Sequence, residues 1–183
     1  TLVTLSNSKG NVTLTAQWTL IPPAAFSAAV TLKLDNAVCT GSALTLQEGS
    51  GTVYTLTEST GVYTNPSIPN GIYTIYKDSL STGKTITINN ADSSETINYY
   101  TVSFDSNGGT PSPLDQIIIE NGLASAPAGI SRGTDTLEGW YSDSELTSKW
   151  IFSTDTVTAP LTLKAKWTPV PITTYTVTYD NNG

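Results

Sequence analysis

The sequence predicts an all-β to β-rich chain, and three observations carry that reading. Apolar residues alternate with Thr, Ser and Lys over short stretches, as at Val30, Leu32 and Leu34, and long helical periodicities are missing. Turn-forming Gly and Pro punctuate those stretches at the spacing expected between short strands. Two phrases also occur twice. Val12-Thr-Leu-Thr-Ala-Gln-Trp18 returns as Leu161-Thr-Leu-Lys-Ala-Lys-Trp167, and Tyr100-Thr-Val-Ser-Phe-Asp-Ser-Asn-Gly108 returns as Tyr175-Thr-Val-Thr-Tyr-Asp-Asn-Asn-Gly183. Repetition of this kind marks a modular array.

Residues 1–20 hold the closing strand of one repeat unit. Val12, Leu14, Ala16 and Trp18 share a face, as do Leu161, Leu163, Ala165 and Trp167; the exchanges Thr15/Lys164 and Gln17/Lys166 fall on the opposite face. Apolar positions persist while polar ones drift, the behaviour of a half-buried strand. Residues 21–25, with two consecutive prolines, read as a stiff linker. Trp18 and Trp167 lie 149 residues apart and Tyr100 and Tyr175 lie 75 apart, which leaves 74 residues of another kind of module. Residues 26–99 fit that insertion. Val30–Leu34, Leu44 and Leu46, Val53–Leu56, Gly61–Tyr63, Ile72–Tyr76, Thr85–Ile88 and Glu95–Asn98 read as strands, with turns at Glu48–Gly51, Pro69–Gly71 and Asn89–Asp92. Roughly seven short strands at this spacing suggest a β-sandwich. Residues 100–168 form the complete repeat unit, 169–173 a second linker, and 174–183 the opening of a further unit. The strands at 12–18 and 175–179 lack the rest of their units, so each is expected to present an unpaired edge able to pair with a neighbouring module or chain.

Two family resemblances sharpen this division. The phrase Ser67-Ile-Pro-Asn-Gly-Ile-Tyr-Thr-Ile-Tyr76, preceded by Gly61-Val-Tyr63, resembles the prealbumin-like sandwich modules, which include carboxypeptidase regulatory-like and collagen-adhesin B-type domains. In residues 100–168, Tyr100-Thr-Val-Ser-Phe-Asp-Ser-Asn-Gly-Gly109, Leu137-Glu-Gly-Trp-Tyr-Ser-Asp143, Leu146-Thr-Ser-Lys-Trp-Ile-Phe152 and the closing Ala165-Lys-Trp167 resemble the Listeria–Bacteroides repeat, also called the internalin B-repeat. That resemblance implies a small β-grasp (ubiquitin-like) unit with a structural signature at Trp18, Tyr100, Val102, Phe104, Gly108, Gly139, Trp140, Tyr141, Trp150 and Trp167. It departs from the family where Gly133-Thr-Asp-Thr-Leu137 precedes Gly-Trp-Tyr.

Composition narrows the function. The formal net charge of −7 with only 8 basic residues leaves no basic patch to track a phosphate backbone or an anionic membrane, so nucleic acid is not an expected partner. No apolar run is long enough to span a bilayer. The absence of His removes the commonest general base and metal ligand, and with it every Ser-His or Cys-His arrangement. Cys39 alone cannot form an internal disulfide and reads as a small buried hydrophobe. Glu138, Asp143 and Glu145 flank Trp140 and Tyr141, but so small a module offers little room for a sugar cleft, and they read as solvated turn and strand residues. Asp105-Ser-Asn-Gly108 and Asp180-Asn-Asn-Gly183 lack the further ligands of a calcium loop; Asn-Gly reads as a tight turn with positive φ. The tryptophans are assigned to core rather than to a glycan platform. A Lys–Asn crosslink of the collagen-adhesin kind would use Lys33, Glu58 and Asn98, but strand parity turns Lys33 outward. No cofactor and no metal site is expected.

The expected function is therefore non-catalytic: a segment of a modular protein, extracellular on a bacterial surface or secreted, serving as stalk or adhesin scaffold beside neighbouring modules. The surface location follows from the resemblances. The alternatives are a module that itself grips a glycan or host protein, and an accessory region of a secreted enzyme.

Overall fold

The computed structural model describes residues 24–171 and 174–180. Trp18, the strand expected at 12–18 and the Asn-Asn-Gly at 181–183 lie outside the described residues. Those described contain strands, turns and irregular segments but no helix. The strands are β1 (Ala25–Leu34), β2 (Ala37–Val38), β3 (Leu44–Gln47), β4 (Val53–Thr55), β5 (Thr57–Ser59), β6 (Val62–Pro69), β7 (Gly71–Lys77), β8 (Leu80–Ile88), β9 (Ser93–Asp105), β10 (Gln116–Ile119), β11 (Thr136–Tyr141) and β12 (Leu161–Thr168).

Two open sheets result. The smaller has the order β4-β3-β7-β8, all antiparallel. The larger has the order β11-β12-β9-β1-β6-β5, with β10 added on β9 and β2 on β1. Two-residue turns with positive φ at both positions close the β1–β2 and β7–β8 hairpins, at Asp35-Asn36 and Asp78-Ser79. The first core lies between the sheets. Val30 and Leu32 of β1, Tyr63 and Ile68 of β6 and Ile97 of β9 meet Leu44, Leu46, Tyr73, Ile75, Ile86 and Ile88 from the smaller sheet, all almost solvent-free.

The second core contains Tyr100, Val102, Phe104, Trp140, Leu163, Ala165 and Trp167, covered by Ala124, Ile130, Trp150, Phe152 and Val157 from irregular segments. Within this unit the central strands β9 and β12 run parallel, with antiparallel β10 on the far side of β9 and β11 on the far side of β12. Phe104 meets Trp140 edge to face, with ring centroids 5.1 Å apart.

One strand serves both cores. β9 runs unbroken through Tyr99–Tyr100 and pairs with β1 along Ser93–Tyr99 and with β12 along Val102–Asp105. Side chains alternate across a strand, so Ile97 and Tyr99 face the first core while Tyr100, Val102 and Phe104 face the second from the opposite side. In β10, Ile119 packs on the first core and Ile118 on the second.

Residues 174–180, expected to begin another unit, are not a strand. Tyr175, Val177 and Tyr179 are 86%, 71% and 90% exposed. The matching segment of β9 is held between β10 and β12, and 174–180 has no such partners among the described residues. An alternating pattern without a sheet to join cannot fix a strand.

Candidate functional site

The signature residues of the repeat are spent on structure. Tyr100, Val102, Phe104, Trp140 and Trp167 belong to the second core, and Trp150 packs against it. Trp167 Nε1 donates to the carbonyl of Ser106 at 2.9 Å, and the Ser106 hydroxyl donates to the carbonyl of Gly109. These bonds tie the turn after β9 to the end of β12. The turn carries Asn107 and Gly108 at positive φ (48° and 87°), closed by Gly109 N donating to Ser106 O. The expectation of a tight Asn-Gly turn holds at 107–108, but β10 begins only at Gln116, so the two residues are not a hairpin connection by themselves. Gly139, at φ 152°, sits where the β11–β12 register shifts; a Cβ there would lie 2.6 Å from Lys149 Cε.

Tyr141 lies outside both cores, with its ring under Lys166 at 4.9 Å. Its hydroxyl donates to Glu138 Oε1 at 2.5 Å, and Lys166 Nζ reaches the same oxygen at 3.1 Å. The Tyr141 hydroxyl and Lys166 hold the Glu138 carboxyl below the usual range, and Glu138 in turn raises Tyr141 and Lys166. Asp143 closes the following turn by accepting from Thr147 and Ser148 backbone N–H groups and the Thr147 hydroxyl, which lower its pKa. Glu138 and Asp143 are thus engaged in local structure. A small recess of about 210 Å³ beside Asp143 is lined by Asp105, Ser142, Ser144, Thr162 and Lys164.

Lys33 and Asn98 are cross-strand partners of β1 and β9, on the face away from the first core. The acid beside Asn98 is Glu120, which accepts from Asn98 Nδ2 at 3.1 Å, while Glu58, on β5 three strands away from β9, pairs in register with Tyr63. The three crosslink candidates are not brought together.

The larger concavity was not legible in the sequence. A groove of about 740 Å³ opens where the two cores meet, walled by Leu32, Leu34 and Tyr99, by Ile117 and Ile119 of β10, and by Leu80 and Leu123. Cys39 also lines it, half-buried against the first core. Lys77 and Asp78 form an ion pair at its wall that raises Lys77 and lowers Asp78, and burial raises Tyr99. Such a lining suits an apolar side chain better than a charged substrate.

The described residues form an all-β structure whose prominent aromatics build cores. The comparisons place the repeat more closely: residues 100–166 match the Listeria-Bacteroides repeat domain. Two relatives from Evansella cellulosilytica are similar over 88 residues, about half of this chain. One, provisionally named as a Gly-rich membrane protein, is 42% identical, and the other, provisionally named as a membrane protein, is 40% identical. The matched stretch covers only 10% and 12% of those relatives.

Proposed function

We propose that this chain is a non-catalytic segment of a modular bacterial cell-surface protein, in which a prealbumin-like β-sandwich and a β-grasp repeat act together as a stalk or adhesin scaffold. The observation that carries the reading is where the aromatic signature goes: Trp140, Trp167, Tyr100 and Phe104 fill a core instead of lining a cleft. The mixed order β10-β9-β12-β11 with a central parallel pair supports the β-grasp comparison, with irregular chain where a helix would lie. The two facing sheets around the first core support the sandwich comparison. Relatives named as membrane proteins fit a surface location, and a net charge of −7 disfavours adhesion to nucleic acid.

The test is antibody labelling of intact producing cells with serum raised against residues 24–171. Labelling lost on brief external protease treatment supports the reading; signal only after permeabilisation overturns it. A second reading, a module that itself grips a host protein, draws on the groove, whose aliphatic walls fit a protein side chain better than a glycan.

A further inference from the structure

The two ends of the described fold leave it along one strand direction. β1 runs parallel to β9 over seven register pairs, from Ala28↔Ser93 to Leu34↔Tyr99. β12 runs parallel to β9 over four, from Leu161↔Val102 to Lys164↔Asp105. Both occupy the same edge of β9. Tyr99 pairs with Leu34 and Ile119, and Val102 with Leu161 and Gln116, so β10 takes the other edge in each case. β1 and β12 thus meet nearly end to end on β9. The gap between them is filled by Asp35, whose carboxylate accepts from Thr101 N at 2.8 Å and from the Thr101 hydroxyl at 2.7 Å. The Asp35 N–H donates to Tyr99 O at 3.0 Å.

From this geometry we infer that β9 is a tension-bearing splice: a load pulling the chain apart by its ends passes from β1 into β9 and from β9 into β12, always as shear along parallel ladders. Tension on the N-terminal side draws β1 backwards along β9, and tension on the C-terminal side draws β12 forwards along it. In shear, the evenly spaced bonds of an overlap must yield together; in a peel they yield one at a time. Leu32 and Ile97, paired across the first lap, and Leu163 and Phe104, paired across the second, also have to leave their cores before either strand can slide. Resistance of this kind is a property of the unfolding barrier and is read by forced unfolding. The biological meaning of the splice rests on the stalk reading above, but its mechanics do not.

Single-molecule pulling of the full chain tests it, with handles fused beyond both ends and compared with a second attachment geometry. In a Cys39→Ala background, a handle on Ser112→Cys, in the exposed loop after β9, pulled against the C-terminus peels β12 from the end it shares with β9. The expected rupture force at one loading rate is about two- to fourfold higher for the end-to-end pull, the upper figure reflecting the four register pairs of the shorter lap. The first end-to-end rip should release the repeat unit, roughly 230 Å of chain. Asp35→Ala should lower the end-to-end force and leave the peel force unchanged. Equal forces in the two geometries, or a lower end-to-end force, overturn the splice while leaving the cell-surface reading intact. Loss of surface labelling would remove the stalk and leave the force ratio standing.

Discussion

Two adjacent glycines, Gly108 and Gly109, should fail for different reasons when replaced by alanine. A Cβ on Gly109 would lie 2.5 Å from Trp167 Cζ2 and 3.1 Å from Ser106 O. Carbon atoms in contact sit about 3.5–4.0 Å apart, so the indole must retreat by about 1 Å or more. It has little room, being 8% exposed and bonded through Nε1 to Ser106 O. Overpacking of this kind costs about 1–3 kcal/mol. Gly108 has space, its nearest neighbour being Arg132 Cδ at 3.4 Å, but its φ of 87° is strained for any L-residue. Its replacement should cost about 1–2 kcal/mol through the backbone alone. The two mechanisms separate in a Trp167→Phe background, where the atom that meets the new methyl no longer exists. Urea unfolding followed by far-UV circular dichroism of all six proteins should show the Gly109→Ala cost falling by at least half in that background and the Gly108→Ala cost unchanged. A Gly109→Ala penalty identical in both backgrounds would refute the packing argument.

Burial and charge pairing elsewhere in the fold have further consequences. Leu163→Ala removes a fully buried side chain opposite Phe104 and should destabilise the repeat by about 2–5 kcal/mol in the same urea assay. Acid should weaken the fold. Asp35, Asp78, Glu138 and Asp143 are held below their usual range by hydrogen bonds, so their stabilisation is complete above the ordinary carboxylate range and lost as pH falls through their lowered values. Tyr141, Lys77 and Lys166 are raised, so their contribution is present at neutral pH and lost above about pH 10. Thermal melts should therefore be flat between these limits, and a marked step between about pH 5 and 8 would contradict the assignment. Intact-mass measurement should give the mass of the uncrosslinked sequence; a deficit of one ammonia would mean that Lys33 and Asn98 had joined despite facing away from the core. Deleting residues 172–183 should leave the melting midpoint unchanged, because Tyr175, Val177 and Tyr179 are solvent-exposed; a clear drop would show that they dock.

Much of the repeat was written locally. Alternation at Tyr100–Phe104 and Leu161–Trp167 identified the buried faces, because period-two burial leaves its trace in residue type. The junction is harder to recognise, although its signal is present. From Ser93 to Asp105 there is no Gly, Pro or Asn-Gly to stop a strand, and the apolar positions change parity between Tyr99 and Tyr100. A parity change looks like a boundary if each strand is assumed to have a single buried face. Here it marks a strand with a core on each side. The groove was invisible for a different reason: Leu34, Leu80 and Ile117 are far apart in sequence, and only the pairing of β10 with β9 brings them together. Turn chemistry was partly hidden too, since Asp35-Asn36 and Asp78-Ser79 adopt positive φ without glycine.

The double-faced strand also constrains how such proteins can be assembled from parts. Recombination that joins a sandwich to a repeat must preserve an even-odd relation inside β9. Loss or gain of one codon near Tyr99–Tyr100 would turn Tyr100, Val102 and Phe104 toward the sandwich and strand the repeat without half its core. Two codons restore parity but shift β12 relative to β1 and open the position that Asp35 fills on Thr101. Shuffling at this joint is therefore restricted to breakpoints that keep the strand's length, whereas breakpoints in the proline-bearing segment after Trp167 carry no such rule.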